Sequence, residues 1–196
     1  MTKVYTDRQF EIIEAAGKIL TNAGVGGLTI KNLAKEMQFS ESAIYRHFMN
    51  KEEIIVAMLE YLIMSLEERY KRVTEGDLNS EEKFILLFEN LFSFFKSNPH
   101  FVVAVFSDGL LEENNRINET ILMIMDIKIK YLRPIIQSGQ KNKIFIDTIP
   151  ADDLLPVILG TVRLKMFKWR LSNFKENLDI IGQNTIQILL KLIKYS

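Results

Sequence analysis

Residues 29–51 read TIKNLAKEMQFSESAIYRHFMNK, and the fold follows from how this stretch divides. Ile30, Leu33 and Met37 recur at helical spacing, and so do Ile44 and Phe48 after a break at Gln38-Phe39. Thr29 and Ser40 are residue types whose side-chain oxygens accept from a helix's first free N–H groups. The pattern predicts a helix over 29–37, a tight turn, and a second short helix over 40–48. Two short helices crossing steeply need a small residue at the crossing, and Ala34 supplies it. The side chains left outside the apolar stripe of the second helix are hydroxyl, aromatic and basic. They suit a helix whose first turn enters the major groove of DNA.

Working outward, Thr6-Asp7-Arg8-Gln9 reads as a capping box opening a first helix. Phe10, Ile13, Gly17 and Leu20 mark one face of it down to Asn22, and Gly24, Gly26 and Gly27 close it. Asn50 and Glu53 form a second box that opens a long helix over 50–73. Asn79 with Glu82 starts another, over 79–97, which stops before Pro99. Further helices are expected over 100–111, 116–138 (with Pro134 as a possible kink), 151–172 and 175–195. IFID at 144–147 is the one segment that tempts a strand assignment. The expected fold is all-α, with about nine helices. A three-helix helix-turn-helix domain over 1–54 precedes a helical bundle over 55–196.

The string Leu28-Thr29-Ile30, Leu33-Ala34, Phe39-Ser40, Ile44-Tyr45-Arg46-His47-Phe48 and Lys51-Glu52-Glu53-Ile54 resembles the DNA-binding domain of the tetracycline-repressor (TetR) family of bacterial transcriptional regulators. The resemblance spans residues 8–54, about a quarter of the chain. It implies DNA contact by Thr29, Ser40, Ser42, Ala43, Tyr45, His47 and Lys51. Tyr45, His47 and Lys51 would hold phosphate, while Ser42 and Ala43 would meet base edges. Arg46 is a further candidate on the same helix. Two positions depart from the family pattern. Gln38 stands where glycine is usual and must adopt φ > 0, at a cost of about 1 kcal/mol. Glu41 puts a carboxylate near the groove, where it would repel a phosphate or accept from a cytosine amine.

Composition restricts the alternatives. With no cysteine and only His47 and His100, little is available for nucleophilic or metal chemistry, and no glycine-rich phosphate loop is present. An enzyme is not expected, nor is any cofactor or metal. The absence of cysteine and of a leader-like or membrane-length apolar run fits a soluble cytoplasmic protein. Net charge is zero, which does not favour a nucleic-acid binder, but residues 29–51 alone carry +2, with Lys3 and the terminal amine as a further arm.

The body is read from its wide apolar arcs. Phe84, Phe88, Leu91 and Phe95 form one stripe of KFILLFENLFSFF, residues 83–95. Such residues either fill a core or line a cavity for a hydrophobic ligand. Met58, Tyr61, Phe84, Phe88, Phe92, Met123 and Met125 are the lining candidates. The last two helices each show two apolar faces, one for the bundle and one for a second copy of the chain. Ile158, Gly160, Val162, Ile181, Gly182, Thr185, Ile188 and Leu192 are the interface candidates. The resemblance implies the same dimer, a double-stranded DNA operator as partner, and a small hydrophobic effector. The expectation is a ligand-responsive DNA-binding regulator, a repressor by default. The alternative kept open is a helical carrier or partner-binding protein whose head no longer binds DNA.

Overall fold

The computed structural model describes residues 5–106 and 115–195. Among these, nine helices follow one another: α1 (Asp7–Gly27), α2 (Ile30–Met37), α3 (Glu41–Tyr45), α4 (Lys51–Glu75), α5 (Ser80–Ser97), α6 (Pro99–Val105), α7 (Asn115–Lys141), α8 (Ala151–Leu171) and α9 (Leu178–Ile193). The all-α expectation holds. None of the described helices is long and apolar enough to cross a membrane. The Lys3 arm and the end of the helix expected over 100–111 lie outside the described residues.

Local side-chain chemistry sets the helix starts. Thr6 and Gln9 form the expected reciprocal capping box at α1, and Asn79 and Glu82 form the one at α5. The third box is shifted by one residue. Asn50 accepts from the Glu53 N–H at 2.9 Å, but the Glu53 carboxylate accepts from Met49 N–H at 2.8 Å. The span of α1 reaches Gly27, but it is two helical pieces joined across a kink at Gly24, inside the stretch expected to close it. Only Gly24, at φ 65°, leaves helical geometry there.

The chain divides into two compact units, residues 1–62 with 99–123, and residues 63–98 with 124–196. The first holds α1, α2, α3, α6, the first half of α4 and the start of α7. Its core is Ile12, Ile13, Ala16, Leu20, Leu33, Ile44 and the α4 run Ile54–Leu59. Gly17 is a close-approach glycine, since a Cβ there would lie 2.9 Å from the His100 ring of α6. The Tyr5 hydroxyl donates to the Glu60 carboxylate, tying Tyr5 to α4.

The second unit has α5 and α9 at its centre, with α8 beside α9. Phe84 and Phe88 pack edge to face at 4.9 Å, and Phe145 meets Phe84 at 6.0 Å. The tempting strand at 144–147 makes only an isolated antiparallel bridge, Phe145 to Lys194. Ile146 N–H donates to Ile193 at 2.8 Å, and Tyr195 N–H to Ile144 at 2.9 Å. Phe145 is seated over Gly139, where a Cβ would lie 2.0 Å from the ring. The tail and the α7–α8 connection thus close on each other.

Candidate nucleic-acid interface

The turn between α2 and α3 is built around Gln38. Its backbone is left-handed, φ 56° and ψ 40°, as the sequence requires of a residue standing where glycine is usual. Gln38 N–H donates to Lys35 at 3.2 Å and Phe39 N–H to Ala34 at 2.8 Å, so the turn satisfies the last carbonyls of α2. Leu33, Ala34, Ile44 and Phe48 are buried beneath it. The Arg8 guanidinium lies 4.9 Å from the Phe39 ring centroid and covers the turn from α1.

Both helix starts are capped by hydroxyls. Thr29 Oγ1 accepts from Asn32 N–H at 3.1 Å, and Ser40 Oγ accepts from Ala43 N–H at 3.2 Å. Ser40 and Ser42 share a hydrogen bond of 2.9 Å, which orients both hydroxyls at the exposed tip of α3. Helix α3 is shorter than the stretch 40–48 expected from the sequence and ends at Tyr45. Arg46 and His47 continue as a turn, with His47 N–H donating to Ile44 at 2.9 Å. That turn redirects the chain so that Phe48 enters the core and α4 can begin.

The outward face combines most of the expected residues. Thr29, Ser40, Ser42, Tyr45 and Arg46 are exposed, and Ala43, His47 and Lys51 are half-buried. Tyr45 is 51% exposed, too much for a core role on α1. Lys51 lies 3.9 Å from Glu52 at the start of α4. Glu41 is exposed on the same tip. Met49, 72% exposed between Tyr45 and Lys51, was not anticipated, and an isolated apolar residue in a loop gives no periodic signal to find it by. Lys18, Asn22, Asn32, Lys35 and Glu36 line a groove of about 390 Å³ between α1 and α2.

His100 packs among apolar groups, 4.2 Å from the Phe101 ring. Burial pushes its imidazole down to about 4, so it is neutral at physiological pH. It seats α6 against α1. Among the described residues no group of three or more His, Asp or Glu is placed to hold a metal ion.

The body candidates fall into two sets. Met58, Phe84, Phe88 and Phe92 are buried, whereas Tyr61, Met123 and Met125 are 36%, 56% and 42% exposed. The interface candidates also divide. Ile158, Val162 and Thr185 are buried within their own unit, and Gly182 lies under Phe92, where a Cβ would come within 2.8 Å. The glycine there serves packing of α9 on α5, not the two-fold approach expected of it. Gly160 is exposed with open space around it, and Ile181 is half-buried. Ile188 and Leu192 are exposed. The sequence reading missed Val157, Leu164 and Leu171 on α8, which are 56–65% exposed at seven-residue spacing, and Ile180 on α9. Exposed apolar residues at that spacing are a legible helical stripe, but two apolar faces on one helix do not reveal which face is outer.

Residues 12–58 match the family described as bacterial regulatory proteins, tetR family, and residues 59–192 match the YsiA-like protein C-terminal region. The nucleoid occlusion factor SlmA of Vibrio cholerae is 28% identical over 174 residues, covering 86% of this chain and 87% of that protein. The fatty acid degradation regulator FadR of Bacillus halodurans superposes with a TM-score of 0.83 at 19% identity, over 96% of this chain and 97% of that one. FadR of Bacillus subtilis, solved in complex with stearoyl-CoA, gives a TM-score of 0.78 at 20% identity, over 92% and 97%.

Proposed function

Since the chain belongs to the TetR family of bacterial regulatory proteins, we propose that it is a dimeric repressor, released from its operator by a long-chain acyl ligand. DNA binding is carried by one observation above the others. The Ser40–Tyr45 tip presents hydroxyl and aromatic groups to solvent on a helix held by a buried apolar stripe. Ser42 and Ala43 meet base edges. Thr29, Tyr45, His47 and Lys51, with Arg46 beside them, hold the phosphates that fix the register. Glu41 admits a cytosine amine and repels a misplaced phosphate.

The dimer reading rests on the α8 stripe Val157, Leu164 and Leu171, joined by Ile188 and Leu192 of α9. A patch of this kind left in water favours association. Two heads then read two half-sites about 34–36 Å apart, or a multiple of that. The acyl reading rests on the YsiA-like body, on the stearoyl-CoA of a structural neighbour, and on the phenylalanine-rich core of the second unit. Division of the chain into a head over 1–54 and a body over 55–196 is the functional division that this reading uses.

A gel-retardation titration against the protein's own upstream DNA tests the reading. Retardation at low salt that stearoyl-CoA reverses supports it, and no retardation at low salt sinks it. A second reading, a role in nucleoid occlusion, is favoured by the 28% identity to SlmA. A deletion strain with altered nucleoid and division positions but unchanged transcript levels would select it.

A further inference from the structure

Tyr70 lies in the middle of the second unit's stretch of α4, fully buried, with buried Leu66 and Val73 on the same helix face. Its ring meets the Tyr131 ring of α7 edge to face, centroids 5.9 Å apart. Its hydroxyl has no hydrogen-bond partner. Burial holds the phenol far above its usual titration range, so it remains a neutral donor. Nearly all buried polar groups in folded proteins are paired, and an orphan hydroxyl is destabilising enough to need a reason.

A buried water is a poor reason. A water held inside a protein needs two to four polar partners. The buried Thr185 hydroxyl of this unit is already given to the Ile181 carbonyl at 2.7 Å, Ser80 is the other buried hydroxyl, and Lys128 of α7, whose ammonium is withdrawn from water, offers donors and no acceptor. What the site lacks is a single acceptor carried on an otherwise apolar body.

We infer that the Tyr70 hydroxyl is the donor that reads the carbonyl oxygen of the acyl effector, and that the effector enters by parting α4 from α7 at the Tyr70–Tyr131 contact. This rests on the acyl reading given above. The Tyr70 ring is buried against Tyr131, so an acyl chain reaching its hydroxyl must displace one of the two rings. Helix α4 runs without a break from Lys51 to Glu75. The hydrogen bond that identifies the effector is made by the same helix whose first residue is a phosphate-contact candidate.

The test uses Tyr70→Phe in the full chain, with stearoyl-CoA and its thioether analogue S-octadecyl-CoA, which lacks the carbonyl. Without ligand, Tyr70→Phe should melt about 2–4 °C higher than the wild type, because the orphan hydroxyl is gone. A lower Tm would mean the hydroxyl has a partner in the fold, and would overturn the inference. The wild type should bind stearoyl-CoA about tenfold more tightly than the thioether. Tyr70→Phe should bind the two equally, with unchanged affinity for DNA in the absence of ligand. Equal wild-type affinities, or a preference that survives in Tyr70→Phe, would overturn it while leaving the acyl reading intact. Binding of neither compound to the wild type would overturn the acyl reading and this inference together.

Discussion

The head and the body use aromatic residues in opposite ways. Tyr45 stands half in water at the tip of a five-residue helix, while Phe84 and Phe88 are fully buried on an eighteen-residue one. In the head, structure is set by single residues with local jobs: a cap at Thr29, a cap at Ser40, a left-handed turn at Gln38. In the body it is set by volume, and close fits at Gly139 and Gly182 decide which helix meets which. Head-surface changes should therefore cost binding and spare stability, and body changes should do the reverse.

The largest expected effect is Phe88→Ala. It should cost about 3–5 kcal/mol of stability in urea unfolding, because a fully buried ring leaves a cavity. Gly139→Ala comes next. A methyl placed against Phe145 should cost about 1–3 kcal/mol through overpacking and should loosen the tail bridge, read as faster amide exchange at Ile146 and Tyr195. Tyr45→Ala should weaken operator binding about tenfold or more in fluorescence anisotropy while shifting stability by less than about 0.5 kcal/mol. If Tyr45→Ala instead unfolds the protein, the contrast between the two regions fails.

His100 gives a pH test within the first unit. Its folded pKa is depressed to about 4 from the usual 6.5. The unfolded chain therefore binds a proton first as pH falls, and stability should drop progressively from about pH 6.5 towards 4. Above pH 6.5 this residue should contribute no slope. His100→Gln should flatten part of the Tm-against-pH curve in that window. The smallest effect expected is from Gln38→Gly, which relieves the left-handed strain and should stabilise the head by about 0.5–1 kcal/mol, measured as a higher urea midpoint.

The same contrast explains how much could be read from the chain. The head was legible because its signals are local and chemically specific. Thr6 with Gln9, Thr29 and Ser40 take the capping roles that their residue types favour, and Gln38 takes the left-handed turn that its position demands. Beyond Tyr45 helix α3 tightens into a turn in which both His47 N–H and Phe48 N–H donate to Ile44, at 2.9 and 3.1 Å, so Tyr45 to Phe48 keep helical spacing in the sequence. The body was legible as helices, and their faces were not. Gly182 carries the same sequence signal whether it faces Phe92 or another chain, and Ile158 cannot be told from Val157 by hydropathy. Helix α6 packs on α1 partly through the His100–Gly17 approach, whose trace in the sequence is a glycine inside an otherwise good helix.

The most direct measurement of the central claim is the affinity of the full-length protein for its own upstream DNA as a function of salt. Two heads that together neutralise six or more phosphates should lose about 10³-fold in affinity between about 50 and 200 mM salt. Tyr45→Ala should be weaker at every point. Binding that is absent at 50 mM, or present but indifferent to salt, would contradict the account.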